Sequence, residues 1–343
     1  MKIVLTGHAG YIGAVLVPML QTAGHEVTGL DTYLFDECDL LHVTKPDHEI
    51  RRDLRDVLPE DLEGADAVVH LGALSNDPLG NVNPKITYDI NRDASIKLAE
   101  TARVVGVERF VFASSCSLYG AGDTDDLLDE TAAFNPVTPY GESKILVEQA
   151  LHELADDSFS PSYMRNATAY GVSPRQRLDI VVNNLSAWAV VTGQVRLQSD
   201  GMAWRPLVHV QDICGAIMAV LGADRELIHD QAFNVGRSDE NYRIREVAEI
   251  VGAAVPGSEV TFAEGASSDA RDYRVRFDKI EETLGWKASW TVPKGTAELV
   301  ETFRQVGLDK SHLDGPRYIR LRRLTELMEE GALTDDIRWS ATG

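Results

Sequence analysis

Thr6-Gly7-His8-Ala9-Gly10-Tyr11-Ile12-Gly13 decides how the chain is read. Its glycines fall at i, i+3 and i+6. They stand directly after the apolar run Lys2-Ile3-Val4-Leu5 and directly before Gly13 to Ala23, whose spacing predicts a helix. A strand turning on glycine into a helix suits a dinucleotide. One glycine allows the tight turn, one lets backbone approach a pyrophosphate, and one lets helix and strand pack closely, with the helix N-terminus facing the anion. A glycine turn alone can be purely structural. Here, however, the next predicted strand, Val27 to Asp31, ends in a carboxylate eighteen residues past Gly13. A carboxylate there suits a ribose diol and repels a 2′-phosphate, and no Arg or Lys follows until Lys45. The stretch predicts NAD rather than NADP, held by Gly7, Gly10, Tyr11, Ile12, Gly13 and Asp31.

Outward from the turn, short apolar runs alternate with helix-length segments. Ala65 to Leu71, Arg109 to Ser114 and Ser162 to Asn166 read as strands; Asn91 to Val105 and a segment starting near Tyr140 read as helices. This alternation predicts an α/β fold, a Rossmann-type doubly wound parallel sheet covered on both faces. After about Gly171 the pattern loosens, with helices predicted at Ile180–Thr192 and Val210–Leu221 and a strand at Phe233–Val235 returning to the sheet. The expected organisation is a dinucleotide-binding domain over 1–172, with the returning strand near 231–236. A smaller interleaved lobe would span 173–314, and a helical extension 315–343.

Composition narrows the function. The chain has 343 residues, 54 of them acidic against 33 basic, for a formal net charge of −21. Such a balance repels nucleic-acid backbones and anionic lipid surfaces. The densest basic stretch, Arg317 to Arg323, itself reads as part of an amphipathic helix at Arg317–Gly331. Neither nucleic acid nor membrane is expected as a partner. No apolar stretch approaches the roughly 20 residues needed to span a bilayer, and the N-terminal apolar run is too short for a signal peptide. Cys38, Cys116 and Cys214 are odd in number and widely spaced, against a disulfide framework. These features predict a cytoplasmic protein. His42, His48, His70 and His209 read as core or surface residues, so no metal is expected.

Tyr140-Gly141-Glu142-Ser143-Lys144 places a phenol and an ammonium four residues apart on a predicted helix. Tyrosine and lysine at that spacing occur on many helix surfaces. Upstream, though, Phe112-Ala113-Ser114-Ser115-Cys116-Ser117-Leu118-Tyr119-Gly120 is a strand end feeding a loop, where parallel sheets place ligands. Together with the TGxxGxxG turn, these segments resemble the extended short-chain dehydrogenase/reductases, which include the nucleotide-sugar epimerases and dehydratases. The resemblance implies Ser115, Tyr140 and Lys144 as the catalytic triad, with Lys144 also binding the nicotinamide ribose.

The resemblance runs over nearly the whole chain. It implies cofactor contacts at Asp53-Leu54 near the adenine, at Leu71-Gly72-Ala73 after His70, and at Asn91. It places substrate contacts at Ser75, Ser115, Cys116, Ser117, Thr168, Asn184, Arg205 and Arg271. The polar loop Leu74-Ser75-Asn76-Asp77-Pro78 would face substrate, and Thr168 replaces an Asn of many relatives. Asn183 lies in the same sugar-nucleotide loop as Asn184. The acidic run Asp123 to Glu130 reads as a solvated loop.

One departure bears on the reaction. The family's 4,6-dehydratases carry an Asp-Glu pair directly after the catalytic Ser/Thr, whereas this chain has Cys116 and Ser117 there. Cys116 reads as a packed small residue in preference to a proton-transferring thiol. The expected activity is NAD-dependent epimerisation of a nucleotide-diphosphate sugar at C4. A 4-ketoreductase or a dehydratase with unusual acids is the alternative, and a catalytically silent NAD-binding regulator is more remote. A homodimer is expected through Asn91–Val105 and Tyr140–Leu154. Their apolar residues (Ile96, Ala99, Ala102, Val105; Ile145, Val147, Ala150, Leu151) exceed what one sheet-facing side requires.

Overall fold

The computed structural model describes residues 1–75, 83–121, 126–267 and 271–340, the side chains of 263–267 excepted. Asn76, Asp77 and Pro78 of the substrate-facing loop, and Asp123 to Asp125 of the acidic run, lie outside the described residues. The first strands are β1 (Lys2–Thr6), β2 (Glu26–Asp31), β3 (His48–Arg51), β4 (Ala67–His70), β5 (Arg109–Ser115) and β6 (Ser160–Asn166). They are followed by β7 (Thr168–Tyr170), β8 (Gln194–Ser199), β9 (Trp204–His209), β10 (Gln231–Val235), β11 (Asn241–Arg243) and β12 (Glu259–Ser267).

Among the described residues the main sheet has the order β10-β6-β5-β4-β1-β2-β3, every neighbouring pair parallel. Both faces are covered, as the continuous apolar runs require. Ile3, Leu5, Val69 and Val111 enter one core, while Val4, Val68, Phe110 and Phe112 enter the other. The returning strand is β10, which pairs with β6. The sequence reading missed β3. His48-Glu49-Ile50-Arg51 is a largely exposed edge strand, and a polar edge carries no hydrophobic signal.

The helices used below are α1 (Gly13–Thr22), α2 (Ala94–Val104), α3 (Pro139–Leu154), α4 (Val181–Thr192), α5 (Val210–Gly222), α6 (Ile244–Ala254), α7 (Val292–Gln305) and α8 (Arg320–Glu329). A wider π-helical turn over Tyr88–Asp93 precedes α2. Val182, Leu185, Val247, Val251, Leu299 and Phe303 join α4, α6 and α7 in a third core, flanked by the small sheets β11-β9-β7 and β12-β8.

The C-terminal segment packs back on the first half. Leu324, Leu327, Leu333 and Ile337 share an apolar cluster with Leu74 and Ile86. The Arg55 guanidinium donates to the carbonyls of Asp336 (2.7 Å) and Ile337 (3.0 Å). The Trp339 indole donates to the carbonyl of Thr32 at 2.6 Å. No helix among the described residues is long and apolar enough to cross a membrane.

Candidate active site

The strand order reverses between β1 and β4, and at such a switch point the loops beyond the carboxyl ends part to form a crevice. A cavity of about 1040 Å³ occupies it, reaching from the glycine turn to residues of β8 and β9. Gly7 adopts the left-handed region (φ 73°), and a Cβ there would lie 2.8 Å from the Gly72 nitrogen. Gly13 has no room either, since a Cβ would stand 2.4 Å from the Gly7 carbonyl oxygen. At Gly10 a Cβ would meet the Gly7 carbonyl oxygen and no other protein atom within 4 Å, so the cavity floor is bare backbone.

Tyr11, Ile12, Asp31, Asp53, Leu54, Leu71, Gly72 and Ala73 line the same cavity. The Asp31 carboxylate is fixed by the backbone N–H groups of Ala9 (3.1 Å) and Tyr33 (2.7 Å). A glycine floor at the start of α1 with a positioned carboxylate at the end of β2 fits the diphosphate and ribose of NAD.

The catalytic candidates meet at the ends of β5 and α3. The Thr138 side chain caps α3 and Pro139 opens it, which sets Tyr140 and Lys144 in its first turns, beside the positive end of the helix dipole. Lys144 is 3% exposed. Its ammonium donates to the Ala113 carbonyl at 2.7 Å and stands 4.6 Å from the Phe112 ring centre and 5.6 Å from that of Tyr140. Burial lowers its pKa to about 7, against the opposing pull of Glu148. The Ser115 hydroxyl lies 2.7 Å from that of Ser117 and accepts the Ser117 backbone N–H. Behind them Glu148 accepts from Ser114 (2.5 Å) and from Arg165 (2.6 Å), a buried ion pair joining α3 to β5 and β6.

On the substrate side, Ser75, Ser115, Ser117, Thr168, Asn184, Arg205 and Arg271 all line the cavity. Two expectations need correction. Cys116 is fully buried in the apolar core, not on the cavity wall. Its Sγ donates to the Arg165 carbonyl, and burial pushes the thiol pKa well up. It turns inward because Ser115 and Ser117 both face the cavity, leaving the residue between them for the core.

Asn91 likewise faces away from the cavity. It is buried and its amide clamps Leu74, accepting from the backbone N–H (2.8 Å) and donating to the carbonyl (3.0 Å). It shapes the loop after β4 instead of touching a ligand. Asn183, too, spends its side chain on Gly171 and Arg177 backbone.

The sequence reading missed Arg177 and Asp179, which line the cavity as a pair at 2.8 Å. The Arg177 guanidinium also donates to the Ser75 hydroxyl (2.9 Å), and Tyr140 lies within its electrostatic reach. Burial works to neutralise Asp179, but Arg177 prevails and holds its pKa below the ordinary carboxylate value. The signal was two charges flanking Leu178 just before a predicted helix. Leu313, Asp314, Ile319, Arg320, Arg322 and Ile337 also reach the wall from the C-terminal segment.

No cluster of His, Cys, Asp and Glu fit for a metal occurs among the described residues. His70 is fully buried between the hydroxyls of Thr6 (2.7 Å) and Ser95 (2.8 Å). Burial, assisted by the Lys144 charge, lowers its pKa to about 3 and keeps it neutral.

The geometry can be set beside known proteins. The chain is 28% identical to the UDP-glucose 4-epimerase of Mycolicibacterium smegmatis, over 89% of this chain and 99% of that protein. It is 26% identical to UDP-glucuronic acid decarboxylase 1 of Arabidopsis thaliana, over 89% of this chain and 70% of the relative. A structure of MoeE5 in complex with UDP-glucuronic acid and NAD superposes with a TM-score of 0.77 at 28% identity, covering 89% of this chain and 99% of that one. The model of the NAD dependent epimerase/dehydratase family matches residues 3–236. The chain belongs to that family.

Proposed function

We propose that the protein epimerises a nucleotide-diphosphate sugar at C4, with NAD as a retained cofactor. When bound, NAD supplies reversible hydride exchange at the sugar carbon. Tyr140 takes the proton of the 4-hydroxyl and later returns it. Lys144 and Arg177 are the cations near its phenol, and cations favour the phenolate that such a base requires. Ser115 holds the reacting oxygen by a hydrogen bond. Hydride exchange on both faces of the sugar would invert C4, with Tyr140 giving the proton back to the oxygen that Ser115 holds. Thr168, Asn184, Arg205 and Arg271 supply the polar contacts of the sugar-nucleotide end.

One observation carries epimerisation over dehydration: Cys116 faces the core where the family's dehydratases carry a carboxylic acid. Elimination of water needs an acid beside the leaving hydroxyl. Among the described residues lining the cavity, Asp31 is fixed by backbone N–H groups, Asp53 by Arg55 and Asp179 by Arg177, and Asp314 is an exposed residue of the C-terminal segment. Arg177 holds the Asp179 pKa below the ordinary carboxylate value, which makes it a poor proton donor. Incubation with UDP-glucose, UDP-glucuronate, dTDP-glucose and CDP-glucose, followed by mass spectrometry, tests this. The expected product has the mass of its substrate, and a product lighter by one water overturns the reading.

A homodimer through α2 and α3 remains a proposal. Ala99, Ala102, Ile145, Val147 and Leu151 are buried within this chain, which leaves Ile96, Val105, Ala150 and the exposed Val104 as apolar groups for a partner. Light scattering at micromolar concentration decides it: twice the chain mass supports the dimer, and the single-chain mass removes it.

A further inference from the structure

The glycine turn offers a dianionic diphosphate backbone N–H groups and a helix end, but little side-chain charge. Among the described cavity-lining residues from 6 to 75, the cation is Arg52, and it is paired with Asp61 at 2.7 Å. Positive charge arrives from elsewhere. Arg175, Arg177 and Arg320 gather where the chain before α4 meets the start of α8. Arg175 is taken up by Asp39 (2.7 Å) and Asp36 (3.0 Å), and Arg177 by Asp179 (2.8 Å).

Arg320 differs from both. It is 3% exposed, lines the cavity, and its Nη1 is buried without a hydrogen-bond partner among the described residues. Its Nη2 donates to the Arg175 carbonyl at 3.3 Å. Its guanidinium lies 4.0 Å from the centre of the Phe35 ring, which fixes it beside the loop that follows Asp31 on the cofactor side. Burial and the neighbouring Arg177 bring its pKa down to about 10 against the opposing pull of Asp179, so it stays charged and gains from a further anion. A buried guanidinium with an unmade hydrogen bond, facing a cavity, calls for an anionic acceptor.

We infer that Arg320 binds the diphosphate of the dinucleotide cofactor, so that the C-terminal segment completes a site whose other contacts come from the first third of the chain. The inference rests on the cofactor reading above. Arg322, also on the cavity wall from α8, adds a solvent-exposed positive charge on the same side. The latches of Arg55 and Trp339 hold the segment in place against the cofactor half.

The test compares binding of NAD, ADP-ribose and adenosine to the full-length chain, for wild type, Arg320→Met and Arg320→Lys. Losing a charged hydrogen bond to the diphosphate weakens NAD and ADP-ribose by about tenfold or more in Arg320→Met, and leaves adenosine unchanged. Arg320→Lys keeps the charge but not the planar fork. It is expected to fall between the two, and it keeps the test open if Arg320→Met fails to fold. NAD and ADP-ribose affinities equal to wild type in both variants overturn the inference. So does a parallel loss of adenosine, which marks general loosening. An effect confined to the KM of the sugar nucleotide reassigns Arg320 to the substrate diphosphate and overturns it as well. A wild-type chain that binds neither NAD nor ADP-ribose removes the cofactor reading itself.

Discussion

On one wall of the cavity, residues 6–13 set a glycine floor, a turn and a helix start within eight consecutive positions. On a second part of its lining, Ser75, Arg177, Asp179 and Arg320 converge from distant parts of the chain. The first wall is rigid because its glycines have no space to be anything else: Gly7 against Gly72, Gly13 against the Gly7 carbonyl. The second is held by charge, with Arg177 bridging Asp179 and Ser75. A backbone floor can accept any ligand with a diphosphate at the right height. A wall of side chains fixed by ion pairs discriminates, and a change in one partner disturbs the rest.

The largest expected effect breaks the chemistry and leaves both walls standing. Tyr140→Phe should lower turnover by about a thousandfold or more, the scale of a lost acid–base group. The purified variant should still carry NAD, measured by cofactor stoichiometry. Next, Arg177→Met removes the guanidinium paired with the largely buried Asp179 carboxylate and leaves it the charge of Arg320. Breaking such a pair costs about 3–5 kcal/mol, read as a lower denaturant midpoint. The double variant Arg177→Met/Asp179→Asn should recover most of that loss, because the stranded charge is gone. If it does not, the second wall is not held by charge. Asp31→Ser sharpens the first wall: wild type should bind NADH better than NADPH, and the variant should narrow that gap by about tenfold, in fluorescence titrations.

A further effect is a pH dependence. Burial sets the Lys144 pKa at about 7 in the folded chain, against an ordinary value of 10.5. Above about pH 7 the folded form loses a proton that the unfolded form keeps up to about 10.5, so the Lys144 contribution to stability rises with pH through that window. Without cofactor, the stability of wild type relative to Lys144→Met should therefore climb from pH 7 to pH 9.5 in denaturant titrations. A flat difference would mean that Lys144 is not desolvated.

What the sequence made legible follows the same division. That the turn, Asp31, Ser115, Tyr140 and Lys144 share one cavity was readable because each sits in a short motif whose spacing is dictated by one local geometry. The parallel sheet was readable from its apolar runs, while polar β3 was not. Cys116 and Asn91 were misplaced as contacts because a motif position says which loop a residue occupies, not which way it points. At Cys116 the alternation of a tight turn sent the thiol inward, and at Asn91 the loop after β4 needed a clamp. Arg177 had only a faint local signature, two charges flanking Leu178, and Arg320 had none. Their placement arises from segments that meet across 102 residues at Arg177 and Ser75 and 145 at Arg320 and Arg175, which no periodicity records.

The latch between Arg55 and the carbonyls of Asp336 and Ile337 joins positions separated by 281 and 282 residues. Closing so large a loop is entropically late work, and contacts of that separation slow folding. During synthesis the βαβ units of the first half emerge well before the segment that covers their edge. The nucleotide cradle therefore forms with one flank open, and that flank closes only when the segment carrying Asp336 and Ile337 arrives.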